Sequence, residues 1–407
     1  MQINNEALLK EFKNKSDPNK LNIAIFSDCY YPLVGGITLR VYNQALELSK
    51  YANVMVVTGQ VGKYKDDPNL PFAVVRCKGI KASEYQGNLA FYQFDKKFKK
   101  YVRGLKIDVI HLHTYFNIAK SAHYFKKKMG VPIIQVSHQR LYPEYVNVTK
   151  SKLLARILTN YSIKMINKAD ALWTVSENVK QFYRESGITR EITIDPSGTD
   201  REYPNNAQEL IDNVNKKYDI KDSENVFITL CRMEIKQKNL EFLLNSVKIA
   251  KEKGLKNFKL FMVGKGKDLE KLKQMAKERD LNEVIFTGFA TNEDATGLYL
   301  RADLHLFPSI CDNFGLTKVE SASLGTPTLA LKDTAIVETI TDGFNGFVSE
   351  RSEEAFADKM IESISDMQRL KEISKNARET MGKTWAELAE TTLNNTQKVL
   401  ETLKNEK

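Results

Sequence analysis

The fold of this chain is best predicted from residues 304–331, which read LHLFPSICDNFGLTKVESASLGTPTLAL. Leu304 to Phe307 is a short apolar run that predicts a buried strand. A polar loop leads into Leu316 to Leu324, which has the pattern of a helix, and Thr326 to Leu331 begins the next strand. A strand, a helix and a second strand in this order are typical of an α/β domain with a parallel sheet.

The loop and the helix start have the chemistry of a nucleotide-sugar site. A helix that begins straight after a strand points its free N–H groups beyond the sheet's carboxyl edge, which suits a phosphate. Gly315 would let a ligand approach the backbone closely. Asp312 and Glu320 are eight positions apart and could hydrogen-bond different hydroxyls of one ligand. The alternative is an ordinary strand, loop and helix with solvated acids.

The same segment resembles the donor-site motif of family 4 glycosyltransferases: an acid, Phe-Gly, four residues, Glu, then Gly-Thr-Pro. The resemblance implies an α/β, GT-B fold, with two Rossmann-like domains facing across a cleft. It assigns contacts with the donor to Phe314, Gly315, Leu316, Thr317 and Glu320. Asp312 stands where the family usually has Glu, and its shorter side chain would change the hold on the donor sugar.

Size and composition predict a two-domain cytosolic protein. The chain has 407 residues, of which 42% are hydrophobic and 28% charged, as in ordinary globular proteins. No uncharged apolar run approaches the roughly 18 residues of a membrane span. Residues 1–20 are polar and lack the apolar core of a secretory signal. The four cysteines show no CxxC spacing and are expected to be reduced.

Positive charge is concentrated in the first half of the chain. Lys81 to Lys168 holds 17 Lys/Arg and 4 Asp/Glu, so the rest of the chain carries −3 of the net +10. This asymmetry favours an anionic partner, either a membrane surface or nucleic acid. No nucleic-acid-binding motif accompanies the charge. The alternative is a solvated basic face.

Residues 94–106, FDKKFKKYVRGLK, have apolar residues at helical spacing and a basic opposite face. Such a helix can lie in a lipid interface, where each basic residue contributes about 1 kcal/mol near anionic headgroups. The predicted membrane contacts are Lys96, Lys97, Phe98, Lys99, Lys100 and Tyr101. The alternative is a surface helix packed on the sheet with a solvated basic side.

Two features of the first half fall where its first sheet would bind a ligand. Gly35-Gly36 lies between the first strand and the first helix, without the GxGxxG spacing of a dinucleotide site. His138 ends the strand that begins at Val131, and no metal-ligand spacing surrounds it. The family resemblance implies that the glycines approach the donor phosphates and that His138 contacts the 6-hydroxyl of the donor sugar. A packed loop histidine is the alternative.

A narrower resemblance concerns the acceptor. It rests on His138, Tyr142, Tyr145, a basic helix over residues 150–168, and the segment PSGTD at residues 196–200. These look like the bacterial diacylglycerol glucosyltransferases, which implies that Tyr142 and Tyr145 lie by the acceptor. Gln139 and Thr199 depart from that pattern.

The second half repeats the alternation of strands and helices after a linker-like stretch, residues 195–206. Arg232 and Lys238 would flank a diphosphate as fixed cations in place of a metal. The loop between them looks one residue longer than in the family, which leaves Lys236 and Lys238 both open as the contact. The resemblance places the donor's uracil and ribose at strand ends that include Gly264 and Phe289.

Four segments are therefore predicted. They are an extension at 1–20, an acceptor-binding domain at 21–200, a nucleotide-sugar-binding domain at 201–384, and a helix at 385–407 that could cross back to the first domain.

The function predicted is a retaining transfer of a hexose, glucose being favoured, from a UDP-sugar to a membrane lipid such as diacylglycerol. Retention of configuration, a front-face mechanism and the absence of metal or cofactor are implied by the family. Catalytic roles are predicted for His138, Asp312, Arg232 and Lys238. The protein is expected in the cytoplasm, peripheral on the inner face of the cell membrane, with a homo-oligomer or a partner subunit left open. The alternatives are a protein or polymer acceptor, and a non-catalytic nucleotide-binding partner of an active transferase.

Overall fold

A computed structural model describes residues 17–33, 35–81, 88–90, 92, 95–115 and 117–406. Most of the predicted extension at 1–20 lies outside these ranges, as does Phe94, the first residue of the predicted basic helix. The chain divides into two compact units. The first comprises residues 1–197 and 385–407, and the second comprises residues 198–384.

The first unit is built on a seven-stranded parallel sheet with the order β3-β2-β1-β6-β7-β8-β9. Its strands are nearly all buried, as expected of a parallel sheet covered on both faces by helices. A two-stranded antiparallel ribbon, β4-β5, accompanies the sheet. The strands are β1 Asn22–Phe26, β2 Asn53–Gly59, β3 Ala73–Cys77, β4 Gly79–Lys81, β5 Asn88–Ala90, β6 Val109–Leu112, β7 Ile133–Ser137, β8 Ala171–Thr174 and β9 Ile192–Ile194.

In the described part of this unit, six helices alternate with the strands, and a seventh comes from the end of the chain. The basic helix predicted over residues 150–168 is present from Lys152 to Ile166. A separate helix precedes it, and the two pack together as a hairpin. Ser151 begins the second helix of that hairpin by accepting a hydrogen bond from Leu154 N. The helices are α1 Gly36–Leu48, α2 Lys96–Arg103, α3 Asn117–Met129, α4 Leu141–Thr149, α5 Lys152–Ile166, α6 Glu177–Glu185 and, last in the chain, α15 Trp385–Asn405.

Helix α15 packs against α1, and buried polar contacts join it to the first unit. Thr396 Oγ1 lies 3.1 Å from Nε2 of the buried His111. Thr392 Oγ1 donates to Asp195 Oδ1 at 2.9 Å, and Asp195 also forms an ion pair with the buried Arg40. Since buried polar groups must be satisfied, these partners specify one position for the helix.

The second unit contains a six-stranded parallel sheet with the order β12-β11-β10-β13-β14-β15. Leu304–Phe307 is a strand with the predicted bounds, fully buried and preceding a helix. The strands are β10 Asn225–Leu230, β11 Phe258–Val263, β12 Val284–Gly288, β13 Leu304–Phe307, β14 Thr328–Leu331 and β15 Phe347–Ser349. The helices are α7 Ala207–Tyr218, α8 Ile235–Lys238, α9 Leu240–Glu252, α10 Leu269–Glu278, α11 Asn292–Arg301, α12 Leu316–Ser323, α13 Glu353–Ser363 and α14 Met367–Met381.

A short 3₁₀ helix, Ala335–Thr339, follows β14. Among the described helices, none combines the length and the apolar character needed to cross a membrane.

Candidate functional site

The predicted donor residues of the second unit gather at one edge of its sheet. Strands β10 and β13 are neighbours in the sheet although they are far apart in sequence, so the strand order reverses between them. In open α/β sheets, ligands bind beyond the carboxyl ends of the strands at this reversal. Arg232 and Lys238 follow β10, and Asp312 and Glu320 follow β13.

Lys238 and Asp312 form the tightest polar pair at this edge. Lys238 Nζ lies 2.7 Å from Asp312 Oδ1 and 2.9 Å from Oδ2, and both side chains are about one-fifth exposed or less. This geometry depends on helix α8, a single turn in which Lys238 points toward the loop after β13 and Lys236 is exposed. Of the two lysines that the sequence left open, the geometry favours Lys238.

Arg232 lies at the more exposed end of the same loop. Its guanidinium is 3.4 Å from Glu234 Oε1 and 3.3 Å from Gln237 Oε1, and 47% of its side chain is accessible. A partly solvated guanidinium with five donors can still turn toward a phosphate. The two cations of this loop are thus held differently, one tightly paired and one accessible.

Glu320 is half-buried in α12 and has its own cation. Arg201 Nε lies 3.5 Å from Glu320 Oε2, and Arg201 also donates to Thr296 Oγ1 at 2.6 Å. Burial raises the pKa of Glu320 and Asp200 raises it further, while Arg201 lowers it. Such a carboxyl group can accept hydrogen bonds from ligand hydroxyls.

Gly315 makes the sharp entry into α12. Its φ is +77°, a left-handed conformation that favours glycine, and a Cβ there would lie 2.8 Å from Ile336 Cδ1. Phe314, Leu316 and Thr317 beside it are half-buried. A side chain at residue 315 would therefore combine backbone strain with a clash against Ile336 and Phe307.

Lys318, in the first turn of α12, is a buried cation. Its Nζ donates to Ile336 O at 3.0 Å and to Thr339 Oγ1 at 2.8 Å, which ties the 3₁₀ helix to α12. Burial lowers the pKa of Lys318 to about 8, and Glu338 opposes this effect. Because the ammonium faces inward, Lys318 positions the helix that carries Glu320.

Gly264 ends β11 at the same edge, and Phe289, which is 76% exposed, follows β12. The φ of Gly264 is +136°, and a Cβ there would lie 2.0 Å from the carbonyl oxygen of Cys231. That carbonyl belongs to the residue before Arg232. Any side chain at 264 would therefore displace the backbone from which Arg232 projects.

Gly264→Ala is expected to destabilise the second unit by roughly 2 kcal/mol or more and to weaken UDP binding, because strain and a backbone clash add. Gly254→Ala is the matched control. Gly254 has a similarly unusual φ of +105°, but no atom lies within 4 Å of the position that a Cβ would take. Differential scanning calorimetry and UDP titration would measure both variants. Equal losses in the two variants would show that the Cys231 contact is unimportant.

In the first unit, the corresponding reversal lies between β1 and β6. Gly35 and Gly36 follow β1 at the start of α1, and both are exposed. The φ of Gly35 is −175°, which any residue adopts, so the local backbone does not require glycine there. Close approach of a ligand stays the predicted reason for this pair.

His138 follows β7, the strand next to β6, and stacks on His113. His138 Nε2 lies 2.9 Å from His113 Nδ1, and the ring planes are 25° apart. Burial, followed by the charge of Arg40, lowers the pKa of His138 well below its usual range. Burial also lowers the pKa of His113 well below its usual range, which favours a neutral pair in which one ring donates to the other. The contact of His138 with the donor sugar stays a prediction.

Asp28 is a buried acid at the same edge, directly after β1. Its Oδ1 accepts from Ile118 N at 3.3 Å, and within the described residues its Oδ2 has no hydrogen-bond partner. Burial raises the pKa of Asp28 to about 7, although the nearby Thr114 hydroxyl and the Ile118 N–H lower it. A carboxyl group that is partly protonated near neutrality can donate or accept a hydrogen bond.

This pKa predicts how stability depends on pH. Between its unfolded pKa of 3.8 and about 7, the folded carboxyl keeps a proton that the unfolded chain has lost. The wild type is therefore expected to lose about 4 kcal/mol of unfolding free energy relative to Asp28→Asn as pH rises through this range. Urea titrations read by tryptophan fluorescence report on this unit, because both tryptophans of the chain, Trp173 and Trp385, belong to it. Parallel pH curves would contradict the prediction.

Two family profiles match the chain. The one described as Glycosyltransferase Family 4 matches residues 34–203, and the one described as Glycosyl transferases group 1 matches residues 211–380. The chain is a family 4 glycosyltransferase. The profiles meet close to the division between the two compact units.

This glycosyltransferase is similar over most of its length to two proteins named alpha-monoglucosyldiacylglycerol synthase. The one from Acholeplasma laidlawii is 27% identical over 375 residues, which are 88% of this chain and 92% of that protein. The one from Streptococcus pneumoniae is 24% identical over 336 residues, or 80% and 74% of the two chains. A structure of HepE from Anabaena in complex with UDP and glucose is similar with a TM-score of 0.71 at 17% identity, covering 93% of this chain and all of that one. The fold is GT-B.

Three of the predicted membrane or acceptor contacts are wrong, because the side chains lie in the core of the glycosyltransferase. Phe98 and Tyr101 in α2 are 0% and 5% exposed, and Phe98 packs on Phe125 with ring centroids 5.9 Å apart. Tyr145 is 5% exposed and its hydroxyl lies 2.8 Å from Ser162 Oγ. Tyr142 is half-buried. The lysines at 96, 97 and 100 are exposed, and Lys99 is half-buried.

Sequence reasoning missed four residues of the glycosyltransferase that the structure brings to its two sheet edges: Asp28, His113, Arg201 and Lys318. Asp28 follows an apolar strand directly, which was a usable signal for the ligand edge. Arg201 had none, because its role depends on Glu320, which is far away in sequence. The four cysteines all lie in the described ranges, and none of them forms a disulfide.

Proposed function

We propose that this glycosyltransferase moves a hexose, glucose first among the candidates, from a UDP-sugar to a membrane lipid such as diacylglycerol. The proposal of a UDP-sugar donor rests on one observation. Two cations, two acids and a left-handed glycine lie at the strand reversal of the second unit. The proposal of a diacylglycerol acceptor is supported by the names of the two relatives. The Anabaena structure with UDP and glucose supports the choice of nucleotide.

The proposed mechanism is electrostatic. The bond between the anomeric carbon and the diphosphate breaks while the acceptor oxygen bonds to the same face of that carbon, and the hydroxyl proton passes to the leaving phosphate. Arg232 and Lys238 would stabilise the charge that develops on the diphosphate, with the N-terminus of α12. Glu320 would accept hydrogen bonds from hydroxyls of the donor. Retention of configuration follows from attack on the face that the diphosphate leaves.

Activity is expected to survive metal removal, because the two cationic side chains would take the place of a metal ion at the diphosphate. Treatment with EDTA is expected to change kcat by less than about twofold. Added Mg²⁺ or Mn²⁺ after gel filtration serves as the comparison. A large loss that either metal restores would contradict this proposal.

We also propose a peripheral location on the inner face of the cell membrane, where a lipid acceptor and a cytosolic nucleotide sugar are both accessible. The net positive charge of residues 81–168 supports this location, because anionic headgroups attract basic surfaces.

The test is incubation of the purified protein with single nucleotide sugars and diacylglycerol in mixed micelles. We expect mass spectrometry to detect a monohexosyl lipid with UDP-glucose, and NMR to show an α-linkage. Lys238→Ala serves as the inactive control. Transfer only to a cell-wall polymer or a protein offered in parallel would overturn the proposed acceptor. A β-linked product would overturn the proposed retention of configuration.

A further inference from the structure

The helical hairpin α4–α5 exposes a cluster of large apolar side chains. Leu153 is 71% exposed and Ile157 is 56% exposed, and Val148 and Leu154 are 46% and 45% exposed. Eleven large apolar side chains are exposed in the described part of the chain, and four of them fall within residues 148–157. Scattered single exposures are normal, but a cluster on one surface marks an interaction site.

The exposed apolar side chains are not the face by which the hairpin packs on its own unit. The opposite side of α5 already packs inward through Ala155, Thr159, Ser162, Met165 and Ile166. In α4, Leu141 and Tyr145 are buried, and the Tyr145–Ser162 hydrogen bond of 2.8 Å joins the two helices. Leu153 and Ile157 are one helical turn apart, so they project from the same outer face. Unlike an ordinary amphipathic surface helix, α5 therefore carries apolar side chains on both its inner and its outer side.

The surroundings of the cluster are basic. Lys150, Lys152 and Arg156 are exposed beside the apolar side chains. Residues 141–168 contain five Lys/Arg and a single acid, Glu144. Apolar side chains that can enter the acyl boundary, with cations at headgroup level, suit an anionic lipid bilayer. A second copy of the chain fits less well, because two such basic surfaces would repel each other.

We propose that the hairpin α4–α5 is the surface by which this glycosyltransferase docks on an anionic bilayer, with Leu153 and Ile157 inserted between the headgroups. The inference rests on the proposed function for its lipid acceptor. The inserted surface is therefore the hairpin and not α2, the helix that the sequence predicted, because Phe98 and Tyr101 of α2 pack in the core.

The experiment is co-sedimentation of the full chain with vesicles, without any nucleotide sugar. One set of vesicles is phosphatidylcholine and the other is an equal mixture of phosphatidylcholine and phosphatidylglycerol. Wild type is expected to bind the anionic set preferentially and to bind less at high salt. The double variant Leu153→Ser/Ile157→Ser is expected to lower the partition coefficient by about tenfold or more, because two apolar side chains no longer enter the interface.

Two further variants make the test specific. Met367→Ser removes an apolar side chain of comparable exposure, 43%, from the second unit and is expected to bind like wild type. Lys96→Glu/Lys97→Glu/Lys100→Glu reverses the exposed basic face of α2 and is expected to weaken binding less than Lys150→Glu/Lys152→Glu/Arg156→Glu does. The tryptophan fluorescence of each variant checks that the first unit is folded.

Activity separates this inference from the proposed function. With diacylglycerol in detergent micelles, Leu153→Ser/Ile157→Ser should keep the wild-type kcat, while activity on vesicles falls with binding. Folded variants of the hairpin that sediment like wild type would overturn the inference even if a glycolipid is made. So would a stable dimer that the double variant dissociates, or binding lost only in the α2 variant. Vesicle binding that depends on the hairpin would stand even if diacylglycerol proved not to be the acceptor.

Discussion

Lys238→Ala is expected to lower kcat by about 10²- to 10³-fold, which is the usual loss when one preorganised group that stabilises developing charge is removed. Lys238 Nζ is held 2.7 Å from Asp312 Oδ1, at the edge where the strand order reverses. Its charge is therefore already in place and needs little reorganisation. Initial rates at saturating UDP-sugar and calorimetric titration with UDP would measure the effect, with a weakening of UDP binding by about tenfold expected.

Lys236→Ala is the matched control for this prediction. Lys236 lies in the same short helix, two residues earlier, and is exposed, so its loss should leave kcat nearly unchanged. The double variant Lys238→Ala/Asp312→Asn separates a missing cation from an unpaired acid. If the double variant recovered most of the lost rate, the harm would come from the freed carboxylate and the catalytic role of Lys238 would be refuted.

Arg40→Met is expected to destabilise the first unit by about 3–5 kcal/mol, because it leaves a buried carboxylate without its counter-charge. Arg40 is 1% exposed, donates to Ser197 Oγ at 2.9 Å and forms an ion pair with Asp195. Its guanidinium also lies 5.7 Å from the ring centroid of Trp385, at the start of α15. Urea denaturation followed by tryptophan fluorescence reads this loss, since Trp173 and Trp385 both belong to the first unit.

Two controls accompany Arg40→Met. Arg40→Met/Asp195→Asn removes both charges while residue 195 can still accept from Thr392, and it is expected to recover at least half of the lost stability. Lys50→Met removes an exposed partner of Glu47 and should cost less than about 0.5 kcal/mol. A shift in Arg40→Met no larger than that of Lys50→Met would show that the buried pair does not hold α15 in place.

Much of the architecture was predictable, because alternating apolar strands and amphipathic helices carry their own periodicity. The strand Leu304–Phe307 has the predicted bounds, and the predicted helix after it ends one residue early, at Ser323. The basic helix predicted at residues 150–168 runs from Lys152 to Ile166, whereas the separate helix α4 before it was not predicted. Local pattern identifies an element more readily than it identifies the partner of that element.

The exposure of apolar side chains in the basic region could not be predicted from the sequence pattern. Phe98 and Leu153 both stand among lysines in amphipathic segments, yet the first is 0% exposed and the second is 71% exposed. Nothing in either segment distinguishes them, because burial depends on whether another element covers that face. Phe125 of α3 covers Phe98, whereas no described element covers Leu153 to that extent.

Local sequence features were enough to assign the class of this protein. Strand and helix periodicity, the acid, Phe-Gly and Glu spacing after one strand, and the paired cations after another are local features, and they were sufficient to predict a family 4 glycosyltransferase. Three further facts required the folded chain: Lys238 is the lysine that pairs with Asp312, Arg201 pairs with Glu320, and Asp28 is a buried acid. The ion pairs depend on strands that are adjacent in a sheet but distant in the chain. The pKa of Asp28 depends on desolvation by residues from several elements. Local spacing in the sequence encodes neither the strand order nor the desolvation.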